Sequence, residues 1–141
     1  MRRISLALVS LLVSLAPCTS ASADVRVHID KSSQTMSVYV NGSLQDVWPV
    51  STGRRGFGTP TGSFRPQRLE RRYYSQKYHG ASMHNAIFFH GGYAIHATTD
   101  VGDLGRPASH GCVRLHPEHA AELQSLVRTY GASSTRITIS Q

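Results

Sequence analysis

A two-residue rhythm constrains this chain more than any other feature. In Val25–Ile29 (VRVHI) and Thr35–Val40 (TMSVYV) apolar and polar residues alternate, which puts one row of side chains on each face of a strand. Asn41-Gly42 separates the second run from LQDVWPVSTG, and both residues accept the positive φ that a two-residue hairpin needs. Three successive strands are therefore predicted. Thr59-Pro60-Thr61-Gly62 predicts a turn into a further strand, SFRPQRL, and AIFFHGGYAIHA holds two apolar runs around Gly91-Gly92, a second hairpin whose last strand ends at His96. One stretch breaks the rhythm. In HPEHAAELQSLVRTYG, Ala120, Leu123, Val127 and Tyr130 recur at helical spacing, Pro117 suits a first helical position and Gly131 a stop. TRITI then returns to alternation. Many strands with one helix near the C-terminus predict a mainly β fold, a mixed barrel or sandwich with a small helical cover. RLERRYYSQKYHGASMHN shows neither period and reads as a mobile loop over the site.

Met1-Arg2-Arg3 is a basic start, ISLALVSLLVSLAP an apolar run and Ala21-Ser22-Ala23 a small-residue processing site. Residues 1–23 are expected to be a signal peptide, and residues 24–141 one domain with a single core. The apolar run is too short to span a bilayer, so a secreted or periplasmic location at the cell wall is expected. In the alternative reading, Cys18 of LAPC is a lipid-attachment site, although proline before the cysteine fits that pattern poorly. The net charge of +7 falls to +5 once Arg2 and Arg3 leave, and the basic residues bunch at Arg54-Arg55, Arg65, Arg68 and Arg71-Arg72. An exported chain has little access to nucleic acid, so none is expected as a partner. The basic balance suits an anionic polymer of the cell surface or, more plainly, a solubilising exterior.

Loss of Cys18 would leave Cys112 without a partner in the chain. Outside the cytosol, cysteines mostly end in disulfides, so an odd one is an apolar filler, an intermolecular bridge or a reactive thiol. Its setting, Ser109-His110-Gly111-Cys112, is a polar, glycine-containing turn, which places the thiol at a surface or cleft.

The block IHATTDVGDLGRPASHGCVRL closely resembles the active-site signature of the L,D-transpeptidases with the YkuD-type fold: a histidine followed by an L-G-x-P-x-S-H-G-C-hydrophobic-Arg run. VYVNGSLQDVWPVSTG, TPTGSF and AIFFHGGYAIHA fall in the same order as in that family, so the resemblance covers nearly all of residues 24–141. It implies a β-rich catalytic domain, a cysteine nucleophile, no cofactor, and peptidoglycan stem peptides as substrate. It also implies carbapenems as covalent inhibitors. Ala97 stands where family members often carry glycine or serine, which serves if the position offers only its carbonyl.

The implied roles have a chemical rationale. A thiol with a pKa of about 8.5 is mostly protonated at neutral pH unless helped. His96 would accept the Cys112 proton, and the resulting ion pair would favour thiolate. Successive N–H groups of His110, Gly111 and Cys112 would converge on the oxyanion, with Gly111 allowing close backbone approach. The Ala97 carbonyl would orient His96. His110 is expected on the substrate side or as a turn stabiliser, and Ser109 as a hydrogen-bonder within the loop. Arg114 would meet a substrate carboxylate or form a structural ion pair. His84 and His90 flank the site-facing hairpin as lesser substrate-side candidates. Two rivals carry other chemistry. Zinc could take His96, His110 and Cys112 with His116 or His119, though no paired-ligand spacing such as CxxC or HExxH is present. A wall-binding module would keep the fold and basic surface with an incidental thiol. The acyl acceptor is open between a second stem, a lipoprotein lysine and a D-amino acid. Protein recovered from an exporting host should begin at or near Asp24 by N-terminal sequencing; a lipid-bearing Cys18 terminus would make it membrane-anchored instead.

Overall fold

The structure is a computed structural model that describes residues 23–141; the expected signal segment, Cys18 included, lies outside the described residues save for Ala23. Its strands are β1 (Val25–Asp30), β2 (Thr35–Val40), β3 (Ser43–Pro49), β4 (Gly62–Phe64), β5 (Arg68–Glu70), β6 (Ala86–His90), β7 (Tyr93–Ala97), β8 (Val113–Leu115) and β9 (Thr135–Ser140), with one long helix, α1 (Pro117–Tyr130). β1 and β2 pair antiparallel from Val25↔Val40 to Asp30↔Thr35, and Val25, Val27, Ile29, Met36 and Val38 turn inward, as their alternation predicts. Asn41 and Gly42 both have positive φ, 51° and 81°, the backbone of the predicted two-residue turn. β9 then lies parallel to β1 and antiparallel to β4, so the first sheet runs β3-β2-β1-β9-β4 and the second β5-β6-β7-β8.

The two sheets and α1 share one core. Val25, Val27, Ile29, Val38 and Ile137 of the first sheet meet Ile87, Phe89, Ile95 and Leu115 of the second and Ala120, Leu123 and Val127 of the helix. Of the two expected forms, this is the sandwich. The second sheet also buries its other face: Met83, Ala86, Phe88 and Ala94 form a smaller cluster, and Tyr73 and Cys112 pack against it. α1 starts at Pro117 as expected, with His116 Nδ1 accepting from the Glu118 N–H, and it ends at Gly131, φ 93°.

Two expectations change. SFRPQRL is not one strand; Pro66, which has no N–H to give a ladder, lies between β4 and β5, and these belong to different sheets. VRL is a strand that local pattern does not announce, because three residues are too few to show a period and its partner, β7, is distant in sequence. The patternless stretch begins with β5, and its remainder is bonded across itself, Asn85 N to Arg71 O at 3.0 Å, Met83 N to Tyr73 O at 2.8 Å and Ser75 N to Ala81 O at 2.9 Å. Residues 71–85 thus form a flap.

Gln124 joins the helix to the second sheet: its Nε2, buried, donates to Glu70 O and Ala86 O, both at 3.1 Å. Gln124→Leu would keep the apolar volume and strand two carbonyls, so urea unfolding should show a loss of about 1–3 kcal/mol.

Candidate active site

His96 sits on β7, paired in parallel register with Arg114 on β8, and is 7% exposed. Its Nδ1 lies 2.7 Å from the Ala97 carbonyl oxygen, so Nδ1 carries the proton and donates, leaving Nε2 as the acceptor. The Ala97 N–H, in the preceding peptide, donates to His84 O at 2.9 Å, which ties this residue to the end of the flap. Burial, the largest influence, pushes the imidazole pKa down to about 4; the Ala97 carbonyl opposes this and the charge of Arg114 adds to it.

The Ser109–Cys112 turn is stitched to the strand edge beside it. Ala108 N and Ser109 N both donate to Thr52 O at 3.0 Å, and Arg54 N donates to Ser109 O at 3.0 Å. Within the turn, Ser109 Oγ donates to Cys112 O at 2.5 Å and accepts from Gly111 N at 3.0 Å, the loop-bonding role expected of it. Thr59 Oγ1 donates to Gly111 O at 2.7 Å and accepts from Gly53 N at 2.8 Å. Gly111 has φ 120°, and a Cβ there would lie 2.7 Å from the Tyr93 ring, so both its dihedral and its neighbour demand glycine. Because the Gly111 N–H is given to Ser109, the expected convergence of three turn N–H groups is not the arrangement of this structure; His110 and Cys112 are the remaining candidates.

Cys112 is half-buried and, among the described residues, in no disulfide. Burial pushes its pKa above the ordinary thiol value, against the opposing effects of the Ala94 backbone and the charges of Arg114 and Lys77. The thiol and His96 line one cavity of about 520 Å³, together with Ser109, His110 and Arg114. The flap supplies Tyr78 and Met83 to the same walls, in the position over the site that the sequence predicts. Cys112 also borders a cavity of about 170 Å³ with Lys77, Tyr78, Tyr93 and His110. The His110 ring stacks on Tyr78 at 4.5 Å between centroids and meets Phe57 edge-on at 4.9 Å, while Arg54 Nη2 lies 3.0 Å from its Nε2. His110 therefore joins the turn to the flap, and its pKa is lowered, by desolvation first and then by Arg54, Arg114 and Lys77. Arg114, 18% exposed, stands 3.7 Å from Asp100 Oδ2, a loose pair with both partners on the cavity wall.

Of the six other histidines, His79 lines the cavity, His28 lies along a separate groove on the first sheet, and the remaining four fall elsewhere. His84 contributes its carbonyl to Ala97, and His90 packs on Phe64 and Tyr93; neither lines the cavity. His116 caps α1 and His119 stacks on Trp48 at 4.7 Å. Among the described residues no three of His, Cys, Asp and Glu gather as a metal requires. Gly53, Tyr78 and Tyr93 bear on the site without having been singled out, and Arg54 and Thr59 had been read only as part of a basic cluster and a turn. STG and TPTG were visible as motifs, but nothing local shows that Thr59 reaches Gly111, 52 residues on.

A two-sheet scaffold of this kind recurs among solved L,D-transpeptidases. The L,D-transpeptidase from Mycobacterium smegmatis matches with a TM-score of 0.75 at 24% identity, covering 84% of this chain and 59% of that one. L,D-transpeptidase 3 from Mycobacterium tuberculosis, in complex with a faropenem-derived adduct, matches with a TM-score of 0.73 at 22% identity over 84% of this chain and 61% of that one. The model of the YkuD family, the L,D-transpeptidase catalytic domain, matches residues 24–139, and this chain belongs to that family. A curated Bacillus subtilis (strain 168) relative, named "Putative L,D-transpeptidase YkuD", is 27% identical over 115 residues, 82% of this chain and 65% of that protein. The chain thus spans a little under two thirds of the relative's length.

The buried imidazole makes stability depend on pH. The folded chain takes up the His96 proton only near pH 4 whereas the ordinary value is 6.5, so its neutral form favours folding above about 6.5 and that contribution is lost as pH falls toward 4. Urea unfolding of wild type and His96→Gln should show wild-type stability falling relative to the variant by about 3 kcal/mol from pH 7 to pH 4. A difference independent of pH would mean that His96 is not held neutral.

Proposed function

We propose that the chain is a cysteine-dependent L,D-transpeptidase acting outside the cytoplasm on peptidoglycan stem peptides, after removal of residues 1–23. The observation that carries this reading is the opening of Cys112 and His96 into one cavity, with His96 Nδ1 committed to the Ala97 carbonyl at 2.7 Å. That bond leaves Nε2 to work as base. The substrate is a tetrapeptide stem, and the bond broken joins the L-centre of its diamino acid to the terminal D-alanine.

Burial raises the thiol pKa and lowers the imidazole pKa, so the resting pair is neutral rather than the ion pair expected above. Proton transfer then accompanies attack instead of preceding it. Cys112 Sγ bonds to the carbonyl carbon as His96 Nε2 takes the thiol proton, and the turn N–H groups receive the oxyanion. Gly111 joins them only if Ser109 releases it. Collapse expels D-alanine, whose nitrogen takes the proton from His96, and leaves a thioester on Cys112. An amine gives its proton to His96, attacks the thioester and expels the thiolate, which regains a proton. A second stem, a lipoprotein lysine or a D-amino acid fits the acceptor role, and water in its place gives carboxypeptidase activity. Nothing in these steps calls for a cofactor. Arg114, with only a 3.7 Å contact to Asp100, is available to a substrate carboxylate.

Intact-mass spectrometry without an acceptor amine tests the reading. Wild type should gain the tetrapeptide minus one D-alanine, Cys112→Ala should gain nothing, and a carbapenem should add one drug mass to Cys112. A pentapeptide displaces the terminal carboxylate from Arg114 and should acylate ~100-fold less. Equal pentapeptide adducts would remove that role from Arg114. An unmodified wild-type thiol would instead favour a wall-binding module.

A further inference from the structure

The outer face of the five-stranded sheet carries charge that the transpeptidase reading does not use. Register sets Tyr39, Arg26 and Arg136 abreast on β2, β1 and β9. Arg65 directly follows Phe64, which pairs with Ile137. Adjacent strands lie about 4.8 Å apart, so a line of arginines crosses the sheet at right angles to its strands. Like charges directly opposite each other destabilise a sheet, and Arg26 and Arg136 are such a pair. Asp24 offsets Arg26 at 3.0 Å. Arg136 donates to Ser63 Oγ at 2.9 Å and Arg65 to the Ser133 carbonyl, bonds that neutralise no charge. Arg26, Arg65 and Arg136 converge on one cavity of about 210 Å³, with Asp24, Ser133 and Ser134. Three guanidinium groups and one carboxylate leave that lining with two uncompensated positive charges. A groove of about 410 Å³ shares Arg26 and Arg136 and extends over His28, Tyr39 and Thr138. None of these residues lines the cavity of Cys112 and His96.

We propose that this double groove docks a linear phosphodiester polymer of the cell surface, one phosphate seated among Arg26, Arg65 and Arg136 and the adjoining repeat laid along Tyr39. Guanidinium forks match the paired oxygens of a phosphate, and the serines bordering the same cavity add hydroxyls. Two cavities that share two arginines fit a repeating chain better than a single ion, and the Tyr39 ring offers an apolar face to the neutral part of the repeat. The proposal rests on the reading above only in placing the chain at a cell wall. Its consequence is a tether: the polymer holds one sheet while the cavity of the other remains open to stem peptides.

Titration of labelled poly(glycerol phosphate) at about 50 mM salt, where such contacts are weakly screened, tests this. Wild type should bind, and the Arg65→Gln/Arg136→Gln double variant should bind at least ~10-fold more weakly. Its acylation of Cys112 by soluble tetrapeptide should be unchanged. Arg71→Gln/Arg72→Gln, which removes the same charge elsewhere, should stay within about twofold of wild type. Equal losses in the two doubles would overturn the proposal in favour of diffuse attraction. It would equally fall if inorganic phosphate competed as well as the polymer at equal phosphate concentration, or if phosphatidylglycerol vesicles bound as tightly through the same arginines. Polymer binding with no acylation of wild type would uphold the groove and fault the transpeptidase reading alone.

Discussion

The parallel pairing of β7 with β8 underlies the rest of the site. Antiparallel neighbours can be joined by a two-residue turn, but parallel ones need a return crossover, and residues 98–112 make it. That crossover is secured along its length: Gly105 N donates to Val50 O at 2.8 Å, Ser51 Oγ to Arg106 O at 2.7 Å, and Thr98 N to Leu115 O at 2.9 Å. Its last residues form the Ser109–Cys112 turn, delivered to the start of β8 beside the strand that carries His96. On its other side β8 exchanges hydrogen bonds with Ser51, Arg114 N to Ser51 O at 2.9 Å and Ser51 N to Arg114 O at 3.1 Å. The short strand therefore bridges the second sheet and the segment that leads out of the first. Without that double pairing, three residues would have no reason to be a strand, and the thiol and imidazole would have no common wall.

Burial on both faces of the second sheet sets the electrostatics. One face joins the main core and the other packs the small cluster against Cys112, so His96 and the thiol lie where charge is poorly solvated. Desolvation then moves their pKa values in opposite directions, each toward its neutral form. The surrounding cations act unequally on the two groups. Arg114 and Lys77 lower the thiol pKa, easing formation of a thiolate, whereas Arg114 also disfavours a charged His96. In the proposed reaction such a pair would start neutral and develop charge only as a substrate carbonyl arrives to accept it. The flap is fastened to this site at two points: Tyr78 stacks on the His110 ring of the turn, and the flap's far end gives the His84 carbonyl to the Ala97 N–H.

Local sequence determined the parts that depend on neighbours a few residues away. Alternation set which faces of β1, β2 and β9 turn inward, Asn41-Gly42 set the first hairpin, and the spacing of Ala120, Leu123 and Val127 set α1, because each pattern acts within a single strand, one hairpin or a few helical turns. Within the Ser109-His110-Gly111-Cys112 block only the Ser109 bonds, to the Gly111 N–H and the Cys112 carbonyl, act within four residues and were legible. Tertiary structure alone decided the split of SFRPQRL between two sheets, the existence of β8, the glycine-only contact of Gly111 with Tyr93, the reach of Thr59 to Gly111, and the row of Arg26, Arg136 and Arg65 across three strands. Each of these joins residues tens of positions apart, or sets one against a wall built by another element. The pKa of His96 belongs with them: a histidine is recognised by its letter, but its charge is settled by the burial that the whole sandwich imposes.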